Sequence, residues 1–333
     1  MKCPMAACGP AGSGGVALLS AMVVLALVAA TTTAMVTRQQ MDIHRTAALL
    51  HSDQAYLYAV GVEYWAAGVL VHDARLLGER TSRVIKTLPS TPVPGGSVAG
   101  SIVDAQARMD INALVPDGGP SRTAGTGEAQ DRGIDETTAA EDLKRFRRLL
   151  GVLNLDAALA DAIADWLDAD REPRQPAGAE DEYYQRQTPP YRAANRRIVS
   201  ASELLLVRGV TPDVYHRLRA FVSVLPAAAP INVNTAAREI LMSLAEETVA
   251  GDIDDLIATR EREPFKKITD FMAHEAFAGH PVSPQGLDVS SVYVHAYGQA
   301  RVASAEVYIS SLLHRVTDKR VDVLKRTQGW PDE

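Results

Sequence analysis

Residues Val16–Val36 read VALLSAMVVLALVAATTTAMV, twenty-one consecutive residues without a charged side chain. A helix of that length can cross a hydrocarbon core of about 30 Å. Helix-forming sequence continues beyond it, since no proline occurs between Val16 and Leu88 and no turn follows the apolar run, as it would after a secretory signal. The sequence therefore predicts one helix of roughly 60 residues, about 90 Å long, whose first part spans a membrane.

Composition limits what the rest of the chain can be. The 333 residues leave room for one or two folded domains outside the membrane. The formal net charge of −7 argues against a nucleic-acid partner, because phosphate binding needs a basic face. Both cysteines, Cys3 and Cys8, precede the apolar run and cannot cross-link the folded body. Because so short a leader is easily left in the cytoplasm, we expect a cytoplasmic N-terminus and an exported body.

The helix becomes amphipathic beyond the membrane. Apolar residues recur there at intervals of three, four or seven, which predicts a stripe that packs on a sheet. The opposite side is polar and includes Arg45 and Glu63. Aromatic residues of such a helix usually belong to a core, so we expect Tyr56, Tyr58, Tyr64 and Trp65 to be packing residues. The predicted stripe consists of Ala47, Leu50, Leu57, Gly61, Trp65 and Gly68.

The remaining chain alternates between strand and helix patterns. The proline-rich segment TLPSTPVPGG, from Thr87 to Gly96, predicts a linker, and the alternating stretch SVAGSIVDAQARMDINAL predicts a strand or hairpin. Pro116–Gly133 predicts an exposed loop, and Glu136–Asp170 is helical in pattern. The runs VSSVYVHAYGQA, ARVASAEVYISSLLHRV and KRVDVLKRT predict a closing antiparallel meander. The fold class is therefore α+β, with a helical insertion between two groups of strands.

Two acidic segments of the insertion are candidates for metal binding. DWLDADRE, from Asp165, and GAEDEYY, from Gly178, together place seven carboxylates within eighteen residues. Calcium needs six to eight oxygen ligands and accepts carboxylates and loop carbonyls. The spacing does not match an EF-hand, and the same residues can equally form a solvated acidic loop paired with Arg171, Arg174 and Arg186. Both interpretations remain open on the residues alone.

Two further segments resemble helix-hairpin-helix units, in which a glycine-rich hairpin presents backbone amides to a nucleic-acid phosphate. They are SASELLLVRGVTPDVYHRLRAFVSVLP and INVNTAAREILMSLAEETVAGDIDDLIATREREPFKKITDFM. The second carries Glu246 and Glu247 where the phosphate would lie, and the first offers only Arg208 beside Gly209. A small helical packing module is therefore favoured over a DNA-binding one.

Several motifs are distinctive in combination. They are GVALLSAMVVLALV followed by RQQMDIHRTAALLHSDQAYLYAVGVEYWA, DAQARMDINAL, ADWLDADREP with GAEDEYYQRQTPPYRAAN, SASELLLVRGV and INVNTA. Together these motifs resemble the K-type minor pseudopilins of type II secretion, the general secretion pathway protein K family, over nearly the whole length. The resemblance implies a pilin-like fold, in which the long helix packs on an antiparallel sheet, with a large inserted all-helical domain that contains SAM-like or helix-hairpin-helix-like units.

The family suggests a division of the chain into five parts. These are a prepilin leader (1–15), the transmembrane part of the helix (16–36), the rest of the helix with the first pilin strands (37–115), the inserted helical domain (116–280) and the C-terminal pilin strands (281–333). Prepilin peptidase would cut between Gly15 and Val16, and Val16 would then be N-methylated. The fifth mature position, which is glutamate in main pseudopilins, is Ser20 here.

The resemblance also implies partners, a location and a metal. The protein would lie in the bacterial inner membrane as a single-pass protein with a periplasmic body. Its partners would be the I- and J-type minor pseudopilins, the major pseudopilin, prepilin peptidase and the inner-membrane secretion platform, and no nucleic acid. It would start the pseudopilus at its tip. The family binds calcium in this insertion, so the expected ligands are Asp168, Asp170, Glu180 and Asp181, with Glu182 and Asn195 in reserve.

Two other functions compete with this interpretation. A membrane-anchored, competence-type DNA-binding protein would explain the helix-hairpin-helix resemblance, but the acidic hairpin speaks against it. An anchored hydrolase would need an arrangement of nucleophile and base, yet no pair among the eight histidines has HExxH spacing. We therefore expect a protein that is not an enzyme.

Overall fold

The computed structural model describes residues 14–72, 84–116 and 135–329. Helix α1 (Gly14–His72) is continuous over 59 residues and confirms the predicted long helix. Its apolar N-terminal half is exposed throughout and is long and apolar enough to cross a membrane. Most of the predicted leader and nearly all of the predicted loop Pro116–Gly133 lie outside the described residues.

The prediction of a linker from Thr87 to Gly96 is wrong. Strand β1 (Val84–Val93) occupies most of that segment and pairs in antiparallel fashion with β2 (Gly96–Asp104). Prolines weaken a strand because they cannot donate to the ladder, but they are tolerated at a sheet edge and at irregularities. β1 is an edge strand, and Pro89 lies where the register shifts between Leu88 and Thr91.

The insertion is mainly helical, and the predicted helical region Glu136–Asp170 is confirmed as two helices. It also contains two short parallel pairs, each formed by strands of two residues. One continuous core, which includes Phe146, Ile163 and Phe271, fills its interior. The elements in chain order are β3 (Met109–Asp110), α2 (Glu136–Val152), α3 (Leu159–Leu167), α4 (Asp181–Tyr184), α5 (Pro212–Leu218), β4 (Val222–Ser223), β5 (Ile231–Asn232), α6 (Arg238–Met242), α7 (Ala250–Arg262), α8 (Ile268–Met272) and β6 (Leu287–Asp288), with β3 paired to β4 and β5 to β6.

Three closing strands confirm the predicted meander. They are β7 (Tyr293–Val302), β8 (Ala305–Thr317) and β9 (Arg320–Gln328). Together with the first hairpin they form one antiparallel sheet of order β1-β2-β7-β8-β9. Inner strand β7 alternates between buried and partly exposed residues, as a strand with one face on a core does. The α+β fold class is thus confirmed.

The prediction of which side of α1 meets the sheet is wrong. The buried side is formed by Ala55, Ala59, Val62, Ala66 and Leu70. Small alanines suit this position because they let the helix backbone approach the sheet closely. Of the predicted stripe, Leu50 and Leu57 do not pack there and are 62% and 67% exposed, whereas Trp65 is partly buried against the helix–sheet core. Tyr56 and Tyr58 are also partly buried there, but Tyr64, against expectation, is 71% exposed.

Glu63, which the helical pattern placed on the polar side, is instead buried against the sheet. Its carboxylate accepts hydrogen bonds from Arg326 of β9, at 2.6 and 2.8 Å, and from the Ser311 hydroxyl of β8 at 2.5 Å. A buried carboxylate is tolerated when a cation and hydrogen bonds compensate it. Both partners come from more than 240 residues away, so the local pattern of α1 could not indicate them.

Asp104, at the end of β2, joins the sheet to the helical insertion. Its carboxylate is 1% exposed and accepts four hydrogen bonds. The donors are the backbone amide of Gln106, the side-chain amide of Asn232 and the hydroxyls of Thr235 and Ser291, at 2.6–2.9 Å. Two of these donors belong to the insertion and one precedes β7, so a single side chain connects three segments.

Candidate functional site

Three acidic residues converge at the end of α3. Asp168 terminates α3, Asp170 lies in the loop that follows, and Glu180 immediately precedes α4. One carboxylate oxygen from each lies within 4.8 Å of the other two. Three negative charges at that distance repel one another unless protons or a cation are bound.

Four oxygen atoms at this cluster are buried without a hydrogen-bond partner. They are both carboxylate oxygens of Glu180, Oδ1 of Asp168 and Oδ1 of Asn195. Glu180 is only 5% exposed. Buried acceptors are nearly always paired, because leaving one unpaired forfeits its hydration. Oxygen atoms that converge without donors are what a hard cation such as calcium requires.

Burial and mutual repulsion perturb the acidity of the cluster. Burial, followed by the charges of Asp165, Asp168 and Asp170, raises the pKa of Glu180 to about 7. Burial also raises the pKa of Asp168, and it raises that of Asp165 to about 6. A cation at this position would reverse these shifts, because it favours the charged form of each carboxylate.

The loop between α3 and α4 is folded around Asp165. The Asp165 carboxylate is fully buried and accepts a hydrogen bond from the backbone amide of Arg174 at 3.0 Å. The Arg174 guanidinium in turn bonds Oδ2 of Asp168 at 3.0 Å, which leaves Oδ1 of Asp168 toward the cluster. Gly178 lies against Asp165 so closely that a Cβ there would collide with its carboxylate.

Asn195 is hydrogen-bonded both to α3 and to the loop that follows it. Its backbone amide bonds the Trp166 carbonyl at 3.0 Å, and its side-chain amide bonds the Asp170 carbonyl at 2.8 Å. These two bonds fix the side chain, and its Oδ1 is buried without a hydrogen-bond partner. Asn195 adopts a positive φ of 45°, which asparagine tolerates better than most residues.

The predicted ligands are therefore only partly brought together. Asp168, Asp170 and Glu180 form the cluster, and the reserve residue Asn195 adjoins it. Asp181 is not in the cluster, because its Oδ1 accepts a hydrogen bond from the Ala193 amide at 3.0 Å. Glu182 is exposed and pairs with Arg186. Asp181 and Glu182 are consecutive residues of α4 and point about 100° apart, whereas Glu180 precedes the helix with an extended backbone, so the three side chains diverge.

Three arginines of the helix-hairpin-helix-like units bond within the protein. Arg208, in the turn before α5, lies over the Tyr183 ring at 5.0 Å and donates to the Gly178 carbonyl. Arg238 of α6 pairs with Asp254, and Arg260 of α7 donates to the carbonyls of Val233 and Ala236. These cations stabilise the insertion and do not form a phosphate site.

Within the apolar part of α1, Ser20 needs no partner from outside the helix. Its hydroxyl donates to the Ala17 carbonyl at 3.0 Å. Thr32 and Thr33 bond backwards in the same way, to Val28 and Ala29. Such internal bonds satisfy a hydroxyl in a medium that offers no water.

Comparisons with known proteins agree on one family. Two family models, both described as type II secretion system (T2SS), protein K, match residues 107–227 and 231–290. Type II secretion system protein K of Pseudomonas aeruginosa is 33% identical over 96% of this chain and 93% of its own, and that of Aeromonas hydrophila is 30% identical over 95% and 97%. The crystal structure of the GspK-GspI-GspJ complex from enterotoxigenic Escherichia coli contains a chain with the same fold, with a TM-score of 0.68, 24% identity and coverage of 86% of this chain and 99% of that one.

Proposed function

This chain belongs to the type II secretion system protein K family and is a minor pseudopilin, and we propose that it forms the tip of the pseudopilus together with I- and J-type minor pseudopilins. The observation that carries the proposal is similarity to protein K relatives over nearly the whole chain. A structure of similar fold was solved as a complex with GspI and GspJ, which supports these partners. Its role is structural: it starts assembly and catalyses no reaction.

Ser20 supports a position at the tip. A glutamate buried in lipid is expensive unless a cation pairs with it, and in a growing fibre the preceding subunit would supply that cation. A first subunit has no preceding neighbour. The Ser20 hydroxyl is satisfied by the Ala17 carbonyl, so this helix needs no such neighbour.

The chain would be anchored in the inner membrane by α1, with the N-terminus cytoplasmic and the body periplasmic. Prepilin peptidase would cut between Gly15 and Val16, and the mature chain would then meet the major pseudopilin and the inner-membrane platform. The test is the N-terminal mass of the membrane-purified protein with and without the peptidase. We expect methylated Val16 only with the peptidase, and no cut in Gly15→Leu. A leader left uncut in both cases, or a cut beyond Val36, contradicts this processing.

The acidic cluster would hold a structural calcium ion. Asp168, Asp170 and Glu180 would supply carboxylate oxygens and Asn195 a carbonyl oxygen, with loop carbonyls or water completing the shell. Such an ion would connect the end of α3 to the loop and to the start of α4. The unpaired buried oxygens support the assignment.

Thermal unfolding in calcium and after its removal tests the ion. An ion at one hundred times its dissociation constant stabilises the folded state by about 2.7 kcal/mol, so we expect calcium to raise the melting temperature. Glu180→Gln should abolish this response. Glu182→Gln is the matched control, because Glu182 is exposed and pairs only with Arg186. Equal melting temperatures of the wild-type chain with and without calcium would overturn the assignment.

A further inference from the structure

The last strand, β9, adds no buried side chain to the fold. None of its nine residues is buried, whereas the neighbouring strand β8 buries five residues and the inner strand β7 buries six. Val321 packs on the helix–sheet core but stays partly exposed. Segments with few buried apolar contacts and solvent-exposed backbone hydrogen bonds open more readily than the core around them. Burial of apolar surface therefore contributes little to the attachment of β9.

The ladder between β8 and β9 is also irregular. β9 is the last strand of the described sheet, so its backbone pairs with β8 on one side. The register shifts between Leu312 and Leu313, and again between Arg315 and Thr317, whereas β7 pairs with β8 without a shift over its whole length. A two-stranded hairpin is at best marginally stable in water without further packing. Contacts between its side chains and the rest of the body are therefore needed to hold β9 in place.

One ion pair connects β9 to helix α1. The Arg326 guanidinium donates to both carboxylate oxygens of Glu63, at 2.6 and 2.8 Å. The Glu63 side chain is 2% exposed and that of Arg326 is 36% exposed. Breaking a buried pair costs more than breaking an exposed one, because the remaining charge is left uncompensated. Departure of β9 withdraws the guanidinium and leaves Glu63 with the Ser311 hydroxyl. The Glu63–Arg326 pair therefore opposes the detachment of β9.

A second polar contact connects β9 to the insertion. The Lys325 ammonium donates to the Val199 carbonyl at 3.1 Å. Both residues are exposed, so water replaces this hydrogen bond at little cost when it breaks. The contact with the insertion is therefore weaker than the Glu63–Arg326 pair.

We propose that β9 detaches from β8 as one unit while the other four strands stay folded, and that the Glu63–Arg326 pair determines how often it does so. Detachment uncovers the outer edge of β8, whose backbone N–H and C=O groups can then pair with another strand. The opposite edge of the sheet is less suited to such pairing, because Pro89 and Pro92 of β1 have no N–H to donate. The fold thus contains a covered strand edge that one buried ion pair controls.

Hydrogen exchange of the full chain in detergent, resolved to single amides by mass spectrometry, measures the detachment. We expect the amides of β9 to share one protection factor, at least tenfold lower than that of β7. In an antiparallel sheet, successive residues of an inner strand bond to alternate neighbours. Amides of β8 that donate to β9 should therefore exchange together with β9, and those that donate to β7 should stay protected. Protection of β9 equal to that of β7 overturns the proposal.

Substitution of Glu63 tests whether the ion pair controls the detachment. Glu63→Gln keeps the shape of the side chain and removes its charge, so it should lower the protection of β9 at least tenfold further and that of β7 less than threefold. Glu306→Gln is the matched control, because Glu306 pairs with Arg301 at the exposed tip of the β7–β8 hairpin, and it should leave β9 unchanged. Equal losses of protection in β7 and β9, or no loss in β9, overturn the proposal.

The double variant Glu63→Gln/Arg326→Gln tests the same contact from the side of β9. Two residues that act as a pair have non-additive effects, because the first substitution already removes their interaction. The double variant should therefore lower the protection of β9 by less than threefold beyond Glu63→Gln alone. It leaves no buried carboxylate without a cation, so the sheet should still fold. A larger additional loss would mean that Arg326 holds β9 through other contacts, and it overturns the role of the pair.

Discussion

Glu180 is only 5% exposed, and its carboxylate oxygens have no hydrogen-bond partner of normal geometry among the described residues. Without a bound ion, protonation of Glu180 lowers the free-energy cost of its burial, because a neutral carboxyl loses less hydration free energy than a carboxylate. Protons and calcium therefore compete for the same oxygen atoms. The pH dependence of stability should reveal this competition.

We predict that the calcium-free chain becomes less stable as the pH rises from 5.5 to 7.5. The pKa of Glu180 is raised from 4.5 to about 7 on folding, so the folded state binds more protons than the unfolded state between these values. The resulting stability is present below about pH 4.5 and is lost as the pH rises through about 7. Thermal unfolding in calcium-free buffer at the two pH values measures the effect.

Glu180→Gln isolates the contribution of this residue. Asp110 and Asp142, buried elsewhere in the insertion, have pKa values raised to about 7 and about 6 and add to the same trend. The variant should weaken the pH dependence by up to about 1.4 kcal/mol per pH unit. Saturating calcium should likewise weaken the pH dependence of the wild-type chain, leaving the contribution of Asp110 and Asp142. An unchanged slope in Glu180→Gln would show that Glu180 does not titrate in this range.

Helix α1 has two apolar sides with different requirements. Its inner side approaches the sheet at glycines: Gly100 of β2 lies against the Val62 side chain, and Gly298 of β7 lies against the Ala59 carbonyl. Its outer side carries Gly61 in open space. The same substitution should therefore have opposite effects on the two sides.

We predict that Gly298→Ala destabilises the fold by about 1–3 kcal/mol, the usual cost of overpacking. The added Cβ would lie 2.8 Å from the Ala59 carbonyl oxygen and 3.1 Å from Cγ1 of Ile309. Gly61→Ala is the control and should stabilise the isolated chain by about 0.5–1 kcal/mol through helix propensity. Thermal unfolding of the full chain in detergent measures both. Equal effects of the two substitutions would mean that the helix does not pack on the sheet through this glycine.

The molecule as a whole consists of a helix–sheet body and a helical insertion with its own core. Their junction contains the buried Asp104 network, and a small apolar cluster that includes Leu225 of the insertion and Leu312 of β8 lies beside it. The junction thus combines polar and apolar contacts between segments far apart in sequence. Disrupting this junction should therefore lower the free energy of unfolding by more than the loss of a single contact would.

We predict that Asp104→Ala lowers the free energy of unfolding by about 3 kcal/mol or more. The substitution removes the acceptor shared by the Asn232 amide and the Thr235 and Ser291 hydroxyls, and each buried group that is left unsatisfied costs about 1–3 kcal/mol. Ser291→Ala removes one donor to Asp104 and one acceptor of the Asn232 amide, while the other donors keep the Asp104 carboxylate, so it should cost less, about 1–2 kcal/mol. Urea unfolding measures both. Similar midpoints for Asp104→Ala and wild type would show that the network does not hold the two parts together.

Net charge leads to a prediction against the DNA-binding alternative. At −7 overall, and with Arg208, Arg238 and Arg260 engaged inside the insertion, the chain should not bind duplex DNA even at about 50 mM salt, where phosphate contacts are strongest. Fluorescence anisotropy of a labelled duplex is the measurement. Binding that weakens steeply with salt would reopen the alternative.

Several features follow from the sequence alone, because each depends on neighbours along the chain. The unbroken helical pattern from Val16 predicts α1, and the alternating runs after Val289 predict β7, β8 and β9. The density of carboxylates from Asp165 to Glu182 indicates where the acidic cluster lies. Periodicity and composition are local properties, and local properties can be read directly from a sequence.

Tertiary structure alone decided which residues of these patterns meet. Both sides of α1 are apolar, and the alanine side packs where Gly100 and Gly298 let the sheet approach closely. Glu63 is buried because Arg326, at the far end of the chain, reaches it. Glu180 enters the acidic cluster and Asp181 does not, because α4 begins between them and turns their side chains apart. The physical reason is the same in each case: a local pattern determines that a face or a charge exists, whereas its partner comes from a segment that only the folded chain brings near.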